Sequence, residues 1–461
     1  MKKLIYILFF LFHVVGFAQQ PWYKYSPSDY TWKNVGSAGF SAGKTDFTSL
    51  AFSPIDSLPY VAYADSINSW KATVMKYNGN NWVNVGNADF SAGWAIYESL
   101  AFCPSNSLPY VAYSDWGDSK RATVMMFNGI NWVNVGNVDF SAGEADYISL
   151  AFSPSGVPYV AYKDYANSQK ASVMKFDGSN WVNVGNAGFS AGRANWISLA
   201  FSPSDSLPYV AFQYEEDSLK ATVMKFDGTN WVDVGNAGFS AYWTEDVSLA
   251  FSPSDSLPYV AYDAPGNGGK VSVMMFNGTN WVNVGNAGFS AGYTSYESLA
   301  FSRSGEPYVA YTDGENGWKA TVMKFDGTNW VYVGNAGFSA GETNSTSLAF
   351  CLSGEPYVAY VDYGNGYKAT VMYYDGPVGI RKLQSSQISI YPNPATDKIT
   401  VELSGTTQGG NLSIVDIEGQ EILTRQITEP KTQLDISSLP SGVYFVRLTS
   451  DRTVEVRKFV K

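Results

Sequence analysis

Seven copies of one unit, four strand-like runs in each copy and a spare run before the first copy predict an all-β fold. The unit recurs every 49 or 50 residues, as the word SLAF shows at Ser49, Ser99, Ser149, Ser198, Ser248, Ser298 and Ser347. Four-stranded units repeated at this spacing are typical of a β-propeller. We therefore predict a seven-bladed β-propeller of four-stranded antiparallel blades over residues 31–376, closed by its N-terminal strand.

Each copy contains four short runs rich in β-branched and aromatic residues, a composition that favours β-strands. Their typical words are SLAF, PYVAY, KATVMKF and WVNVG. An Asn-Gly or Asp-Gly pair, such as Asn78-Gly79, separates the third run from the fourth and is typical of a two-residue hairpin turn. Short stretches of Ser, Pro, Gly and Asp separate the first run from the second. The four runs predict an antiparallel meander, and its apolar faces must both be covered.

The two ends of the repeat region are complementary. After Asp375-Gly376 the seventh copy continues with Pro377 and has no Trp-containing fourth run, whereas an unmatched fourth run, TWKNVG at 31–36, precedes the first copy. We expect the N-terminal run to pair with the seventh copy and remove two open sheet edges. The alternative, an open solenoid, needs capping repeats that the sequence does not show. The repeat resembles the kelch class in length but lacks its Gly-Gly signature, so no propeller family is assigned.

The N-terminus has the pattern of a secretory signal peptide at residues 1–18. Lys2 and Lys3 are followed by an apolar stretch and by the small-residue site Gly16-Phe17-Ala18. No later segment is long and apolar enough to span a bilayer, so we predict an exported protein without a transmembrane segment.

Composition excludes several classes of function. A formal net charge of -11 argues against a nucleic-acid partner. The single histidine, His13, lies in the predicted signal peptide, so the mature chain has no histidine for triad chemistry or metal binding. Cys103 and Cys351 stand at equivalent positions of distant copies and are expected to be buried free thiols. We expect no cofactor and no metal, although oxygen-rich stretches such as DSINS leave loop calcium binding as an alternative.

A change of composition marks a second domain. Residues 377–387 have the character of a linker, and residues 388–461 alternate apolar runs with Gly, Pro and Asn. This pattern predicts a small immunoglobulin-like β-sandwich.

The words of this tail resemble the C-terminal sorting domain of the type IX secretion system. The residues that carry the resemblance are Tyr391, Pro392, Asn393 and Pro394, the turn from Asp416 to Gly419, Gly442, Tyr444, and the basic residues Lys458 and Lys461. The resemblance implies recognition by the type IX translocon, export across the outer membrane of a Bacteroidetes-type bacterium, and release or attachment at the cell surface.

Comparison of the copies with one another locates the variable positions. One variable segment precedes SLAF and another follows PYVAY, and because meander strands alternate in direction, both are expected as loops at the same end of the propeller. In the first segment, five of seven equivalent residues are aromatic; the seven are Phe47, Tyr97, Tyr147, Trp196, Asp246, Tyr296 and Ser345. Aromatic faces beside carboxylates suit sugar rings. We predict a site for an extracellular glycan or protein ligand that is formed by the five aromatic residues together with Asp246, Glu98, Glu245 and Glu297.

Three functional interpretations remain open. The first is a secreted or surface-held, non-catalytic recognition or adhesion protein. The second is a carbohydrate-active hydrolase or lyase, in which acids at the channel mouth act as a pair; its candidates are Glu98, Glu144, Asp146, Glu245, Asp246, Glu297 and Glu342. The third is a structural surface protein without a small ligand, in which the aromatic residues only fill gaps between blades.

Overall fold

The described chain consists of β-strands with single turns of helix between some of them. The computed structural model describes residues 31–117, 119–376, 388–403, 411–416, 421–426, 429, 431–450 and 453–461. The predicted signal peptide (1–18) and linker (377–387) lie outside the described residues. As predicted, four-stranded antiparallel sheets repeat through the first part of the chain and a separate β unit follows. The described residues up to 376 form one compact unit, and those from 388 onward form a second.

Seven four-stranded sheets lie within the described part of residues 31–376. The chain begins with β1 (Trp32–Asn34). The first sheet contains β2 (Thr45–Phe52), β3 (Pro59–Asp65), β4 (Lys71–Tyr77) and β5 (Trp82–Asn84). The second contains β6 (Ala95–Phe102), β7 (Pro109–Asp115), β8 (Arg121–Phe127) and β9 (Trp132–Asn134). The third contains β10 (Ala145–Phe152), β11 (Pro158–Asp164), β12 (Lys170–Phe176) and β13 (Trp181–Asn183).

The remaining four sheets follow the same plan. The fourth contains β14 (Ala194–Phe201), β15 (Pro208–Tyr214), β16 (Lys220–Phe226) and β17 (Trp231–Asp233). The fifth contains β18 (Glu245–Phe251), β19 (Pro258–Ala264), β20 (Lys270–Phe276) and β21 (Trp281–Asn283). The sixth contains β22 (Thr294–Phe301), β23 (Pro307–Asp313), β24 (Lys319–Phe325) and β25 (Trp330–Tyr332). The seventh contains β26 (Thr343–Phe350), β27 (Pro356–Asp362) and β28 (Lys368–Tyr374), and β1 is its fourth strand.

The expected pairing between the two ends of the repeat region is present. β1 runs antiparallel to β28, with Trp32 opposite Tyr374 and Asn34 opposite Met372. Beyond the strand, the backbone N–H of Val35 donates to the carbonyl oxygen of Val371 at 2.9 Å. The seventh sheet therefore takes its outer strand from the start of the chain.

Neighbouring sheets are joined through their first strands. The backbone N–H of the Leu in each SLAF word donates to the hydroxyl oxygen of the Ser in the SLAF word of the adjacent sheet, at 2.9–3.1 Å. The pairs are Leu100–Ser49, Leu150–Ser99, Leu199–Ser149, Leu249–Ser198, Leu299–Ser248, Leu348–Ser298 and Leu50–Ser347. The last pair joins the first sheet to the seventh.

The outer strands make an equivalent set of contacts. Each Trp of the fourth strands donates its indole N–H at 2.7 Å to a Val carbonyl oxygen of the preceding sheet. The same Trp ring stacks on the Phe that lies five residues after this Val. Trp181, for example, donates to Val135 and stacks on Phe140 at 4.2 Å. Trp32 makes the same contacts with Val333 and with Phe338, at 4.1 Å. The WVNVG word is therefore an inter-sheet clamp.

Both variable segments differ from the loops that the sequence predicted. The first belongs to the first strand of each sheet: β2 begins at Thr45, whose backbone N–H donates to the carbonyl oxygen of Tyr367 in the neighbouring sheet. The second combines the end of a strand with one turn of 3-10 helix in six of the described sheets. These turns are Ser66–Asn68, Tyr165–Asn167, Glu215–Asp217, Pro265–Asn267, Gly314–Asn316 and Tyr363–Asn365. Inter-sheet hydrogen bonds extend the strands because buried backbone groups at the rim need partners.

The second unit has two sheets around one core. Its strands are β29 (Ile388–Tyr391), β30 (Lys398–Leu403), β31 (Asn411–Val415), β32 (Glu421–Gln426), β33 (Lys431–Asp435), β34 (Val443–Ser450) and β35 (Thr453–Val460). The sheet orders are β29-β30-β33 and β32-β31-β34-β35. Ile399 from one sheet and Leu412, Val446 and Phe459 from the other are fully buried in a shared cluster. This arrangement agrees with the predicted two-layer β domain.

Candidate functional site

The first strand of every sheet has an irregularity at the same position. The first strand has one more residue there than the second strand that it pairs with. In the first sheet, Asp46 lies opposite Ala64, but Ser49 lies opposite Ala62. One residue in each bulge has a left-handed backbone with φ between 48° and 60°. These residues are Phe47, Tyr97, Tyr147, Trp196, Asp246, Tyr296 and Ser345. A β-bulge redirects a side chain, and a left-handed non-glycine residue costs about 1–2 kcal/mol.

The bulges direct these seven side chains into one cavity. Its volume is about 240 Å³, and the residue after each bulge position completes its lining: Thr48, Glu98, Ile148, Ile197, Val247, Glu297 and Thr346. Of the predicted ligand-binding residues, the structure brings Phe47, Tyr97, Glu98, Tyr147, Trp196, Asp246, Tyr296 and Glu297 together here. Glu245 is absent from this lining, and its backbone N–H donates to Asp263 Oδ1 at 3.0 Å.

Four consecutive aromatic side chains form an arc on one side of the cavity. The ring centroids of Phe47 and Tyr97 are 4.9 Å apart, those of Tyr97 and Tyr147 are 5.1 Å apart, and those of Tyr147 and Trp196 are 5.0 Å apart. Tyr97, Tyr147 and Trp196 also pack against the hydrophobic clusters between sheets. The arc therefore fills gaps between sheets as well as lining the cavity, and its ring faces are partly covered.

Tyr296 is the more accessible ring. Its side chain is 38% exposed and lies between the positions of Asp246 and Ser345, which carry no ring. The backbone N–H of Tyr296 donates to Asp246 Oδ2 at 2.7 Å, and its carbonyl oxygen accepts from the hydroxyl of Thr346. Burial raises the pKa of the Tyr296 phenol to about 12, so the hydroxyl remains a hydrogen-bond donor at neutral pH. The position presents a ring face and a hydroxyl beside a carboxylate.

Two buried carboxyl groups line the floor of the cavity. Glu98 is 6% exposed and Glu297 is 7% exposed, and no other described residue donates a hydrogen bond of normal geometry to either carboxyl. The hydroxyl of Thr294, near Glu297, donates instead to the carbonyl oxygen of Gly269 at 3.2 Å. Burial raises the pKa of both carboxyls well above the usual range, and the negative charge of Asp46 adds to the effect at Glu98.

Further acids adjoin the cavity beside the fifth and sixth sheets. Burial, together with the charges of Asp246 and Glu245, raises the pKa of Asp263 to about 8. Burial and the charge of Glu245 raise the pKa of Asp246 to about 6, although the N–H of Tyr296 opposes this shift. Asp263 and Asp246 also raise the pKa of Glu297. This side of the cavity therefore carries a concentration of carboxyl groups whose pKa is raised by burial and by one another.

Sequence reasoning missed Asp263 and the buried cation Lys163. Lys163 Nζ donates to Asn195 Oδ1 at 2.7 Å and lies 5.8 Å from the centroid of the Tyr147 ring, and burial lowers its pKa. Both residues follow the PYVAY word, where the equivalent residues are Ala64, Ser114, Gln213, Thr312 and Val361. Variation at one position inside a constant strand was the signal that could have identified them.

Of the remaining predicted acids, Glu144 and Asp146 have side-chain partners, and Glu342 accepts a hydrogen bond from the N–H of Tyr363 through its backbone carbonyl oxygen. Glu144 forms an ion pair with Lys120 at 2.9 Å, and Asp146 accepts a hydrogen bond from the Tyr165 hydroxyl at 2.9 Å. The oxygen-rich stretch at Asp65 is a capped 3-10 turn, in which Asp65 Oδ1 accepts from the N–H of Ile67 at 3.0 Å. Among the described residues, no group of three or more His, Cys, Asp or Glu is placed to hold a metal ion.

A second aromatic patch is exposed on the surface and contributes no residue to the cavity lining. Trp94 and Trp116 are 37% and 39% exposed, and their ring centroids are 4.6 Å apart. Trp70 lies 6.3 Å from Trp94, and Lys120 Nζ lies 4.0 Å over the Trp116 ring. The ammonium group of Lys120 therefore occupies one face of this patch.

The motif residues of the C-terminal unit are joined by hydrogen bonds. Asn393 Oδ1 accepts from the N–H of Val460 at 2.9 Å, and Asn393 Nδ2 donates to the carbonyl oxygen of Lys458 at 3.3 Å. Gly442 and Lys461 exchange two backbone hydrogen bonds at 2.9–3.0 Å. The Tyr444 hydroxyl donates to the carbonyl oxygen of Pro440 at 2.9 Å. The motif thus fixes the last strand to the start of the domain.

Four further residues belong to the predicted sorting motif. The Tyr391 hydroxyl donates to Glu402 Oε2 at 2.8 Å. Pro392 and Pro394 flank Asn393 in the segment between β29 and β30. Gly419 lies outside the described residues.

The fold and these contacts define a class: a repeat protein of four-stranded antiparallel sheets that carries a C-terminal β domain. Residues 389–461 match the family model described as the secretion system C-terminal sorting domain. The curated protein karilysin from Tannerella forsythia is 29% identical over 87 residues, which are 16% of this chain and only 18% of karilysin. The sorting domain implies export to the cell surface or secretion by the type IX system, as the sequence predicted.

Several solved structures are distantly similar. PorZ, a surface component of the type IX secretion system of Porphyromonas gingivalis, aligns with a TM-score of 0.46 and 15% identity over 89% of this chain and 59% of its own. A polysaccharide lyase, an ulvan lyase, gives 0.49 and 10% identity over 73% of this chain and 94% of its own. The SapL1 lectin in complex with α-methyl fucoside gives 0.45 and 17% identity over 66% of this chain and 99% of its own.

The described residues contain no helix that is long and apolar enough to cross a membrane.

Proposed function

We propose that this protein is a type IX secretion cargo that binds a saccharide non-catalytically in the cavity of a closed, seven-bladed propeller. Two contacts support closure: β1 pairs with β28, and the N–H of Leu50 donates to the hydroxyl oxygen of Ser347. Through them, the first and the last described sheets of the repeat region contact each other. The C-terminal domain, an immunoglobulin-like sandwich in this proposal, delivers the propeller to the cell surface or the medium.

The observation that carries the ligand proposal is the left-handed bulge in all seven sheets. It directs seven side chains of five residue types into one cavity, and local strain of this kind is common at functional sites. The cavity combines aromatic rings with carboxyl and hydroxyl groups, which suit the C–H faces and hydroxyls of a sugar. A volume of about 240 Å³ lies just below the range of about 300–1,000 Å³ for sites of drug-sized ligands, so we expect one monosaccharide unit or a chain end.

A saccharide array probed with the full chain tests this proposal. We expect a set of saccharides that share one terminal unit, and we expect Tyr296→Ala to lose them all. Tyr332→Ala, at an exposed tyrosine of a fourth strand, is the control and should retain binding. Absence of binding at about millimolar saccharide would contradict the proposal and favour a structural surface role.

A carbohydrate-active hydrolase or lyase is the second candidate. Glu98 and Glu297 favour it, because both are buried carboxyls of raised pKa in the cavity, and a protonated carboxyl is what a general acid requires. Release of reducing or unsaturated ends from a bound polysaccharide, abolished by Glu297→Gln with binding retained, would favour catalysis. An intact polysaccharide after prolonged incubation would favour recognition alone.

A further inference from the structure

We infer that the preferred ligand of the cavity carries a free ammonium group, as a saccharide with an unacetylated amino sugar does. This inference rests on the proposed saccharide-binding function and narrows its ligand class. It depends on the charges that line the cavity, on two carboxyl groups without partners and on the exposed ring of Tyr296.

The lining of the cavity is acidic. Among its described residues, Glu98, Asp246 and Glu297 are acids and none is Lys, Arg or His. Burial raises the pKa of Glu98 and Glu297, and the carboxyls of Asp46 and Asp263 raise it further, so both groups favour the protonated form while the cavity is empty. An ammonium group favours the ionised form of these carboxyls and then meets opposite charge, whereas a ligand that carries a carboxylate or sulfate gains no such interaction.

The nearby cation does not neutralise these acids. Lys163 donates to Asn195 at 2.7 Å, and the charges that act on it are those of Asp146, Glu215 and Arg193. It belongs to the third sheet, whereas Glu98 and Glu297 belong to the second and the sixth. The acids on the floor therefore lack a cationic partner among the described residues.

The hydrogen-bonding groups around the floor need donors. Thr48 and Thr346 lie between Glu98 and Glu297 in the order of the sheets, and their hydroxyls already donate to the carbonyl oxygens of Ser345 and Tyr296. Glu98 receives no hydrogen bond from another described residue, and none of normal geometry reaches Glu297, where the Thr294 hydroxyl lies close but donates to Gly269. A buried polar group without a partner is costly, and an ammonium group supplies three donors together with the compensating charge.

The ring of Tyr296 adds a second contact suited to a cation. It is 38% exposed and lies beside Asp246, whose carboxylate accepts from the Tyr296 backbone N–H. A cation within about 6 Å of an aromatic face is attracted by the ring quadrupole. A hydroxyl of a neutral sugar gains neither this attraction nor the charge interaction with the floor.

Calorimetric titration of the full chain compares three probes: a β-linked tetramer of glucosamine, the same tetramer fully N-acetylated, and tetralysine. Measurements use about pH 6, where amines are protonated, and about 150 mM salt, which limits general attraction to an acidic chain. The test variant is Glu98→Gln/Glu297→Gln. The control is Asp227→Asn/Asp326→Asn, which also replaces two carboxyl groups by amides and introduces the residue that other copies have at Asn78 and Asn128.

We expect the glucosamine tetramer to bind about tenfold tighter than its acetylated form, and the Gln variant to lose this preference while the control keeps it. Thermal denaturation establishes that both variants fold; if the double Gln variant does not, Glu98→Gln alone should halve the preference or more. Equal binding of the two tetramers would overturn the ammonium inference and leave saccharide binding intact. A preference that survives in the Gln variant, or binding of tetralysine alone, would also overturn it. Failure of both tetramers to bind would count against the inference and the proposed function together.

Discussion

The backbone N–H of Leu50 donates a hydrogen bond to the hydroxyl oxygen of Ser347 at 3.0 Å, although 297 positions separate the two residues. An equivalent hydrogen bond joins each of the six remaining pairs of adjacent sheets, for example Leu199 to Ser149 at 2.9 Å. The junction between the first and seventh sheets is thus chemically equivalent to the junctions inside the array. Equivalence of the junctions has measurable consequences for stability.

Trp32→Ala should destabilise the protein as much as Trp181→Ala. Each indole N–H donates to a Val carbonyl oxygen at 2.7 Å, and each ring is buried against a Phe of the neighbouring sheet. Truncation of a buried Trp costs about 3–5 kcal/mol. Chemical denaturation of the two variants measures this loss. A small effect at Trp32 beside a large effect at Trp181 would indicate an open array.

Ser345→Gly should raise the free energy of unfolding by about 1 kcal/mol, because Gly adopts a left-handed backbone without the steric cost that Ser pays at φ 51°. The control is Ser295→Gly, at the residue immediately before Tyr296, which is still paired with Thr312 in β22 and where Gly should lower stability by about 0.5–1 kcal/mol. Thermal or chemical denaturation compares the two. Destabilisation at both sites would argue against strain at the bulge.

Stability should decrease as the pH rises from about 4 to about 8. The pKa of Asp263 is raised to about 8 in the folded protein by burial and by the charges of Asp246 and Glu245. A raised pKa means that the folded state binds more protons than the unfolded state in this window, so unfolding becomes easier as protons are lost. Asp263→Asn keeps an oxygen that can accept from the Glu245 N–H but does not titrate. Melting temperatures measured across this pH range should therefore fall less steeply in the variant, and an unchanged slope would contradict the assignment.

Asn393→Ala should impair export. The Asn393 side chain makes two hydrogen bonds to β35, each worth about 0.5–1.5 kcal/mol. These bonds hold the C-terminal strand, which carries the basic residues of the sorting motif. Cell fractionation should find the variant in the periplasm and the parent at the surface or in the medium. Ile422→Ser, on an exposed strand position of the same domain, is the control and should be exported.

Much of the fold was readable from the sequence because local signals agreed with one another. Asn-Gly and Asp-Gly turns, alternating apolar words and the missing last strand predicted the sheets and the pairing of Trp32 with the seventh sheet. The extent of the first strand was not readable, because Thr45 is held by a carbonyl oxygen of a neighbouring sheet that no local pattern announces. Long-range backbone contacts decided that boundary.

The site was predictable in membership but not in geometry. Internal comparison identified Tyr97, Tyr147 and Trp196 as equivalent positions, and the structure places them side by side. The bulge itself was invisible, since large aromatic residues are not the residues that favour a left-handed backbone. Burial of Glu98 and Glu297 likewise arises from the convergence of several sheets, which a single strand does not encode.

Titration of Tyr296→Ala and Trp116→Ala with the saccharide that the full chain binds most tightly tests the central claim most directly. Tyr296 lines the cavity formed by the bulges, whereas Trp116 belongs to the second, exposed aromatic patch with Trp94. If the cavity is the binding site, Tyr296→Ala weakens binding by about tenfold or more and Trp116→Ala leaves it unchanged. Full affinity in Tyr296→Ala together with a loss of affinity in Trp116→Ala would place recognition at the exposed aromatic patch and contradict binding in the cavity.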